Sequence, residues 1–432
     1  MTASIGNKRR VLIIVENLPV PFDRRVWAEA TTLASAGYEV SVISPMMGDA
    51  TAPYEMLDNV HIYRHPLREA DASAFGYLRE YASALFWQYR LALKVRRERG
   101  FDVIHACNPP DLIFLVAAFF KIFGVKFIFD HHDLCPELYE AKFNKRGLFW
   151  RFLKVVEKAT FALADVTIAT NHSYKRIAVE RGGMASERVF VVRSGPRLEK
   201  LEIRPPRQEL KKGAKFLIGY VGVIGEQEGV DLLIEAAAHL LQRRGKDSAH
   251  FAIIGDGPAL ETAKRLVAEN KLEDAFTFTG RASDDLLLDL LNTADVCVNS
   301  DRWSEMNDKS TMNKIMEYMA LRKPIVQFDL YEGRQSARDA SLYAAPDNAA
   351  DFAEKIGYLL DRPEERERMG RVGRERIENR LSWVHSVPVL LAAYDRVFGN
   401  TARLKLEAGK ERTGSKPQAQ IETGPLSVGG EK

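Results

Sequence analysis

The sequence predicts an α/β protein built from two doubly wound domains that face each other across a cleft. Short β-branched runs alternate with helical periods along most of the chain, and the alternation stops once, near residue 200, and then restarts. The 432 residues, 46% of them hydrophobic, suffice for two large domains with a core each. Such a chain is neither a disulfide-built module nor a disordered protein.

In the first half, strands are predicted over 11–15, 39–43, 102–105, 126–130, 165–169 and 189–192. Helical periods separate them, the pattern of βαβ units on a parallel sheet. Segment 199–214 holds Pro205, Pro206 and several charges without apolar periodicity, and reads as a linker. Strands resume over 216–221, 250–254, 276–279, 295–298 and 324–328, with helices starting near Asp231, Pro258, Ser283, Thr311 and Asp351. The expected domains are 1–200 and 201–380, both Rossmann-like, followed by a last helix over 381–398. Over 399–432 aromatic and β-branched residues thin out while Lys, Glu, Gly and Ser rise, so a disordered tail is expected.

Composition removes several functions. Sixty-two Lys plus Arg against 59 Asp plus Glu leave a net charge of +3, which gives no support to nucleic-acid binding. Cys107, Cys135 and Cys297 are too few and too scattered for a disulfide framework or a Cys-rich zinc site, so a reducing, cytoplasmic setting fits. Lys8, Arg9 and Arg10 precede only a short apolar run, 11–15, which is a strand rather than a signal peptide. The longest membrane candidate, 112–129, is interrupted by Lys121, Gly124 and Lys126. No spanning segment is expected.

In open α/β sheets ligands bind beyond the carboxyl ends of the strands, so the strand-to-helix loops are where chemistry is sought. The first strand runs into Glu16, Asn17, Leu18 and Pro19 instead of Gly-x-Gly-x-x-Gly, which argues against hydride transfer with a nicotinamide cofactor. Neither a Gly-x-Ser-x-Gly elbow nor a carboxylate cluster suited to a divalent metal is present. In the second half, Gly222 and Gly225 follow the opening strand; they suit either the close approach of a diphosphate or an ordinary tight turn. Gly255-Asp256-Gly257-Pro258 and Gly280-Arg281 end the next two strands, and Asp256 reads as a cap. Ser310 and Thr311 are good N-cap residues. On the helix that follows, Glu317 can accept two hydrogen bonds from a ribose diol or pair with Lys314 on the same face. In the first half, strand 126–130 runs into His131, His132 and Asp133. Adjacent histidines point to opposite faces and make a poor zinc site; a strand-end His and Asp suit sugar hydroxyls or proton handling, or a histidine held by Asp133.

Three runs taken together resemble glycosyltransferase family 4, in the branch of bacterial exopolysaccharide and O-antigen transferases. They are Pro21-Phe22-Asp23-Arg24-Arg25-Val26-Trp27, Asp130-His131-His132-Asp133-Leu134-Cys135-Pro136-Glu137-Leu138, and Asn307-Asp308-Lys309-Ser310-Thr311-Met312-Asn313-Lys314-Ile315-Met316-Glu317-Tyr318-Met319-Ala320. The resemblance spans roughly 9–398 and includes the closing Leu381-Ser382-Trp383. It implies a GT-B architecture whose second domain holds a nucleotide-sugar donor and whose first domain holds the acceptor, with the last helix crossing back to the first. It further implies retaining transfer without a metal or cofactor, from a UDP-sugar in preference to a GDP-sugar, onto a glycan or a polyprenyl-diphosphate-linked saccharide.

Position by position, the resemblance implies that Glu317 holds the donor ribose and that Ser310, Thr311 and Met312 meet the diphosphate. Arg281 lies where the base is contacted, Gly222 and Gly225 on the phosphate-approach loop, and His132 with Asp133 near the donor sugar. Arg24 and Arg25 face the acceptor side. The chain departs from the family where phosphate-binding cations give way to Val223 and Glu228, and where the first Glu of a Glu-x7-Glu pair is Lys309. Lys314 and Lys309 are the expected substitutes. The alternative is a non-catalytic nucleotide-sugar-binding or partner subunit. Finally, segment 147–163 places Leu148, Phe149, Phe152, Val155, Val156 and Ala159 on one helical face. Arg151, Lys154 and Lys158 lie on another, with Lys142, Lys145 and Arg146 upstream. That helix either packs on the sheet as scaffold or rests on an anionic membrane surface.

Overall fold

The computed structural model describes residues 8–66, 74–143 and 145–399, without side chains at 74–81. The expected tail lies outside the described residues but for Gly399. Among the described residues, fourteen strands form two sheets. The first contains β1 (Arg10–Ile14), β2 (Glu39–Met46), β3 (Tyr54–Leu57), β4 (Val60–Pro66), β5 (Val103–Cys107), β6 (Lys126–His131), β7 (Val166–Ala169) and β8 (Val189–Val191). Its order is β3-β4-β2-β1-β5-β6-β7-β8, parallel throughout except for the β3–β4 pair. The second contains β9 (Phe216–Val221), β10 (Ala249–Ile254), β11 (Phe276–Phe278), β12 (Val296–Asn299), β13 (Ile325–Phe328) and β14 (Ser341–Ala344), ordered β11-β10-β9-β12-β13-β14.

In each sheet the order reverses beside the opening strand, between β1 and β5 and between β9 and β12. Loops on either side of such a reversal diverge and leave a crevice at the strands' carboxyl ends. Both faces of both sheets are covered by helices. The central strands are therefore continuous apolar runs, such as Val11, Leu12, Ile13 and Ile14, all at most 1% exposed.

Three strands lie where the sequence predicted none: β3, β4 and β14. The β3–β4 turn uses Asp58 and Asn59 at φ 47° and 62°, positive values that Asp and Asn tolerate better than most residues. The expected face of the helix Leu148–Leu163 also needs correction. Val156, Glu157, Thr160 and Phe161 face the protein, whereas Leu148, Phe149, Phe152 and Val155 project into solvent. The helix is rotated because Glu157 is drawn inward to Arg181.

After the second sheet the chain returns to the first. The helix Trp383–Val397 packs on β6, β7, β8 and on the helix Arg24–Ser35. It contributes Trp383, Leu390, Tyr394 and Val397 to the same core as Val11, Ile13 and Val40. Trp383 Nε1 donates to Thr32 Oγ1 at 3.0 Å. The returning backbone presses on the outgoing linker: a Cβ on Gly195 would stand 2.1 Å from the Leu381 carbonyl oxygen, so only glycine fits. Leu390→Ala, which opens a cavity under this helix, is expected to cost about 2–5 kcal/mol of stability. The check is chemical denaturation, read on the first domain.

Candidate active site

From the first domain, the end of β6 presents His132. Asn108, at the end of β5, shapes the turn: its Oδ1 accepts from the backbone N–H of His132 at 2.6 Å and of Asp133 at 3.2 Å. Its Nδ2 donates to the Asp133 carbonyl and to Asp111 Oδ1, both at 2.7 Å. The histidine is held by Asp130, not by Asp133: His132 Nε2 lies 2.5 Å from Asp130 Oδ2. Arg25 Nε donates to the same ring nitrogen at 2.9 Å, so Arg25 and Asp130 both hold the ring through Nε2. Alternation along the strand sends His131 the other way, into a cage of Phe161 and Tyr174. Burial and then Arg181 push its pKa down to about 3, so His131 is a neutral core residue.

Asp130 is a hub. Arg25 Nη2 donates to its Oδ1 at 2.8 Å, and His105 Nε2 lies 3.2 Å from its Oδ2. Burial opposes the charge on Asp130, but Arg25 and His132 hold its carboxyl well below the usual range. Glu29, which also touches Arg25 at 3.1 Å, is pushed well above its usual range by burial and by Asp130. Arg25 also binds the Val192 carbonyl and Ser194 Oγ on the linker. Arg25, expected beside Arg24 on the acceptor side, lines the same cavity as Arg24, but its guanidinium is buried and claimed by the carboxylates of Glu29 and Asp130. Glu29, His105, Cys107 and Asp130 each bring one donor atom within 4.8 Å of the others. Arg25 already supplies the cation that a metal would supply there.

The second domain contributes the loop after β9. A Cβ on Gly255 would fall 1.8 Å from the Gly222 carbonyl oxygen, so this loop and the next touch backbone to backbone. The Gly222 and Ile224 amides are bonded to the Ile254 and Asp256 carbonyls. Glu228 folds back over the loop, its Oε2 2.5 Å from where a Gly225 Cβ would stand. Burial raises its pKa, partly offset by Lys314. Lys314 does not pair with Glu317. Its Nζ lies 3.0 Å from Asp301 Oδ1 and 3.4 Å from Tyr220 Oη, both under the Gly222 loop. Burial alone would lower the Lys314 pKa; Asp301 and Tyr220 more than offset it and raise it. Lys309 pairs with Glu305 one turn back. Both expected substitute cations are thus already partnered.

Glu317 sits on the helix Asn313–Ala320, at the cleft, and meets the opposite domain: Arg24 Nη1 donates to its Oε1 at 3.0 Å. Burial raises the Glu317 pKa and Arg24 partly restores it. Arg281 also crosses the cleft, its guanidinium 5.4 Å from the Phe22 ring centre. Neither Ser310 nor Thr311 caps the helix; Met312 stands at that position without a side-chain bond. Ser310 closes the preceding helix through the Met306 carbonyl and meets Tyr174 Oη at 3.0 Å. Asn171 of the first domain donates to the Lys309 carbonyl at 2.8 Å and to Thr311 Oγ1 at 3.0 Å. The structure thus brings Arg24, Glu317 and Asn313 together around a cavity of about 150 Å³, with Ser194, Asp284 and Trp383. Lys314, Gly222 and Gly225 do not line that cavity.

Two doubly wound domains whose loops meet in this way have the GT-B architecture, and both halves match glycosyltransferase family profiles. The first domain matches the family profile described as Glycosyltransferase Family 4 over residues 23–200, and the second matches Glycosyl transferases group 1 over residues 203–376. The alpha-D-kanosaminyltransferase of Streptomyces kanamyceticus is 27% identical over 332 residues, 72% of this chain and 82% of that protein. The 2-deoxystreptamine glucosyltransferase of the same organism is 27% identical over 71% of this chain and 80% of its own. Among solved structures, sucrose-phosphate synthase from Thermosynechococcus elongatus superposes with a TM-score of 0.74 at 17% identity, over 91% of this chain and all of that one. Anabaena HepE in complex with UDP and glucose gives 0.68 at 14% identity, over 90% of this chain and 99% of its own. These two show the same fold.

Asp301 is 1% exposed, and its only cationic partner among the described residues is Lys314. Lys314→Met therefore leaves a buried carboxylate unpaired, and stability is expected to drop by about 3–5 kcal/mol. Adding Asp301→Asn should recover most of the loss in urea denaturation.

Proposed function

We propose that this protein transfers a sugar, with retention, from a UDP-sugar to a lipid-linked or saccharide acceptor in the synthesis of a surface polysaccharide. The carrying observation is Glu317: a carboxylate at the cleft, held above its usual pKa range by burial and partnered by a cation from the opposite domain. A ribose diol in the Arg24 position gives that carboxylate two donors. HepE, which shares the fold, binds UDP and glucose. In this reading His132 Nδ1 bonds a sugar hydroxyl while Asp130 and Arg25 hold the ring, and Asp133 keeps the turn in place. The amides of Thr311 and Met312 meet the diphosphate beside Ser310, whose own amide closes the preceding helix on the Asn307 carbonyl, and the departing oxyanion is stabilised by local dipoles and by Lys314 rather than by a metal or cofactor. One observation favours the rival of a non-catalytic donor-binding subunit: Lys309 and Lys314 are both neutralised by carboxylates. Release of UDP from a panel of UDP-sugars with membrane extract separates the two; absent turnover with intact UDP binding selects the rival.

Glu317→Ala is expected to weaken UDP binding by about ten- to more than a hundredfold, roughly 1.5–3 kcal/mol, while Arg24→Ala does not weaken it. Because the Glu317 pKa is raised, protonation sets in above the ordinary glutamate range as pH falls. UDP affinity should decline with falling pH from that higher point, and Glu317→Gln should flatten the curve. Calorimetric titration of UDP across pH is the check.

The acceptor side of this reading includes an anionic membrane face. No described helix is long and apolar enough to cross a membrane. The helix Leu148–Leu163 nonetheless exposes Leu148 (85%) and Val155 (67%), and the turn that follows the neighbouring helix Phe114–Lys121 exposes Ile122 (79%) and Phe123 (61%). Arg151 and Lys158 are exposed on the same helix as Leu148, while its Glu157 is buried. At about 1 kcal/mol per basic residue near an anionic surface, this supports reversible docking. Co-sedimentation with anionic but not neutral vesicles is expected. It should fall with salt and with Leu148→Ser/Val155→Ser; binding indifferent to those substitutions removes the membrane assignment.

A further inference from the structure

A second cleft, of about 470 Å³, opens beside the Gly225 loop, away from Glu317. Its walls come from the loop residues Gly225–Val230, the start of the helix Leu260–Glu269, the segment 302–304 and, from the first domain, Ala141. The volume is that of an ordinary small-ligand site. Over it stands Trp303, 58% exposed. An indole left in solvent is costly, and this one is not on a loose loop. The Trp303 amide donates to Asp347 Oδ1 at 3.1 Å, the Arg302 amide to the Gln227 carbonyl at 2.9 Å, and Asn307 Nδ2 to the Gln227 and Arg302 carbonyls at 3.0 and 2.9 Å. The ring is held ready by a fixed backbone.

The polar lining narrows what can bind. Arg302, the lining's cation, is tied to Asp231. Glu226 adds a further negative charge, so the walls repel phosphate and carboxylate groups. The Gln227 side-chain amide and the Thr262 hydroxyl line the cleft and make no hydrogen bond to the protein among the described residues. An exposed ring offers a flat apolar face, and free amide and hydroxyl groups in the same cleft offer donors and acceptors. A neutral pyranose has the matching surfaces, with C–H groups on one face and hydroxyls around the rim.

We infer that this cleft is a saccharide subsite: Trp303 stacks on a neutral sugar ring of the acceptor glycan, and Gln227 and Thr262 bond its hydroxyls. The inference rests on the proposed transferase function and adds a second sugar position on the donor-side domain. Gln227 lies on the same loop as Gly222, and Ala141 belongs to the helix Cys135–Phe143 that follows His132. Sugar bound here bears on both halves of the catalytic cleft.

The test uses the full-length labelled chain on an array of defined neutral glycans, with UDP present. At least one glycan class should be retained. Trp303→Ala should lose that binding tenfold or more, Trp303→Phe should keep most of it, and Gln227→Ala should weaken it severalfold. UDP affinity and the unfolding transition should be unchanged in all three. Retention of no neutral glycan by the wild-type chain, or retention indifferent to Trp303→Ala, overturns the subsite while UDP binding leaves the donor reading standing. Failure of the wild-type chain to bind UDP sinks the donor reading instead.

Discussion

The buried ion pair between Arg25 and Asp130 is the contact on which the first domain's half of the site depends. Two charges removed from water are tolerated only when each is fully bonded, and here they are shared widely. Asp130 takes Arg25, His105 and His132; Arg25 takes Asp130, Glu29, the Val192 carbonyl and Ser194. His105 passes the connection on to Tyr394 Oη at 2.8 Å, on the returning helix. A single charged cluster therefore fixes the strand end, the first loop, the linker and the last helix relative to one another.

Across the cleft the arrangement is different in kind. Arg24 to Glu317, Arg281 to Phe22, Asn171 to Thr311 and Tyr174 to Ser310 are polar or cation–π contacts between domains, several of them exposed to solvent. Exposed ion pairs are worth little individually. The buried hydrogen bonds from Ser173 to Glu332 tie the domains together away from solvent, whereas the exposed contacts Arg24–Glu317 and Arg281–Phe22 are ones that a ligand can exchange for its own. Glu317 shows this most directly, since the group it binds in this structure and the group proposed to replace it are both hydrogen-bond donors.

Much of this was legible in the sequence, because a doubly wound sheet writes itself as apolar runs at regular spacing. Eleven strands were located that way; β3, β4 and β14 were not, since β3 is a short exposed edge strand and β14 has only half of its residues buried. The His132 turn, Glu317 and the glycine loops were visible as residue types at strand ends. What spacing could not supply was partnership. Nothing in the sequence distance between Arg25 and Asp130, or between Arg24 and Glu317, says that they meet. The signals that existed were negative ones: Asn108, Asp111, Asn171 and Asp301 are polar residues at the ends of apolar runs, and a polar group in such a place needs a partner. Lys314 illustrates the limit, since helical spacing offered Glu317 while the fold delivered Asp301.

The close passage of Gly195 beneath Leu381 carries a consequence for how the halves can be taken apart. The polypeptide crosses between domains twice, once outward through the linker and once back into the helix Trp383–Val397, whose Leu390 and Tyr394 complete the first domain's core. A protease that nicks the linker within 203–214 leaves the pieces held together, because the fragment bearing the second sheet also carries the helix that completes the first domain's core. Expressed without residues 381–398, the first domain would carry an open apolar trench over β6, β7 and β8. The two units of this fold are separable on a diagram of sheets and inseparable as solutes.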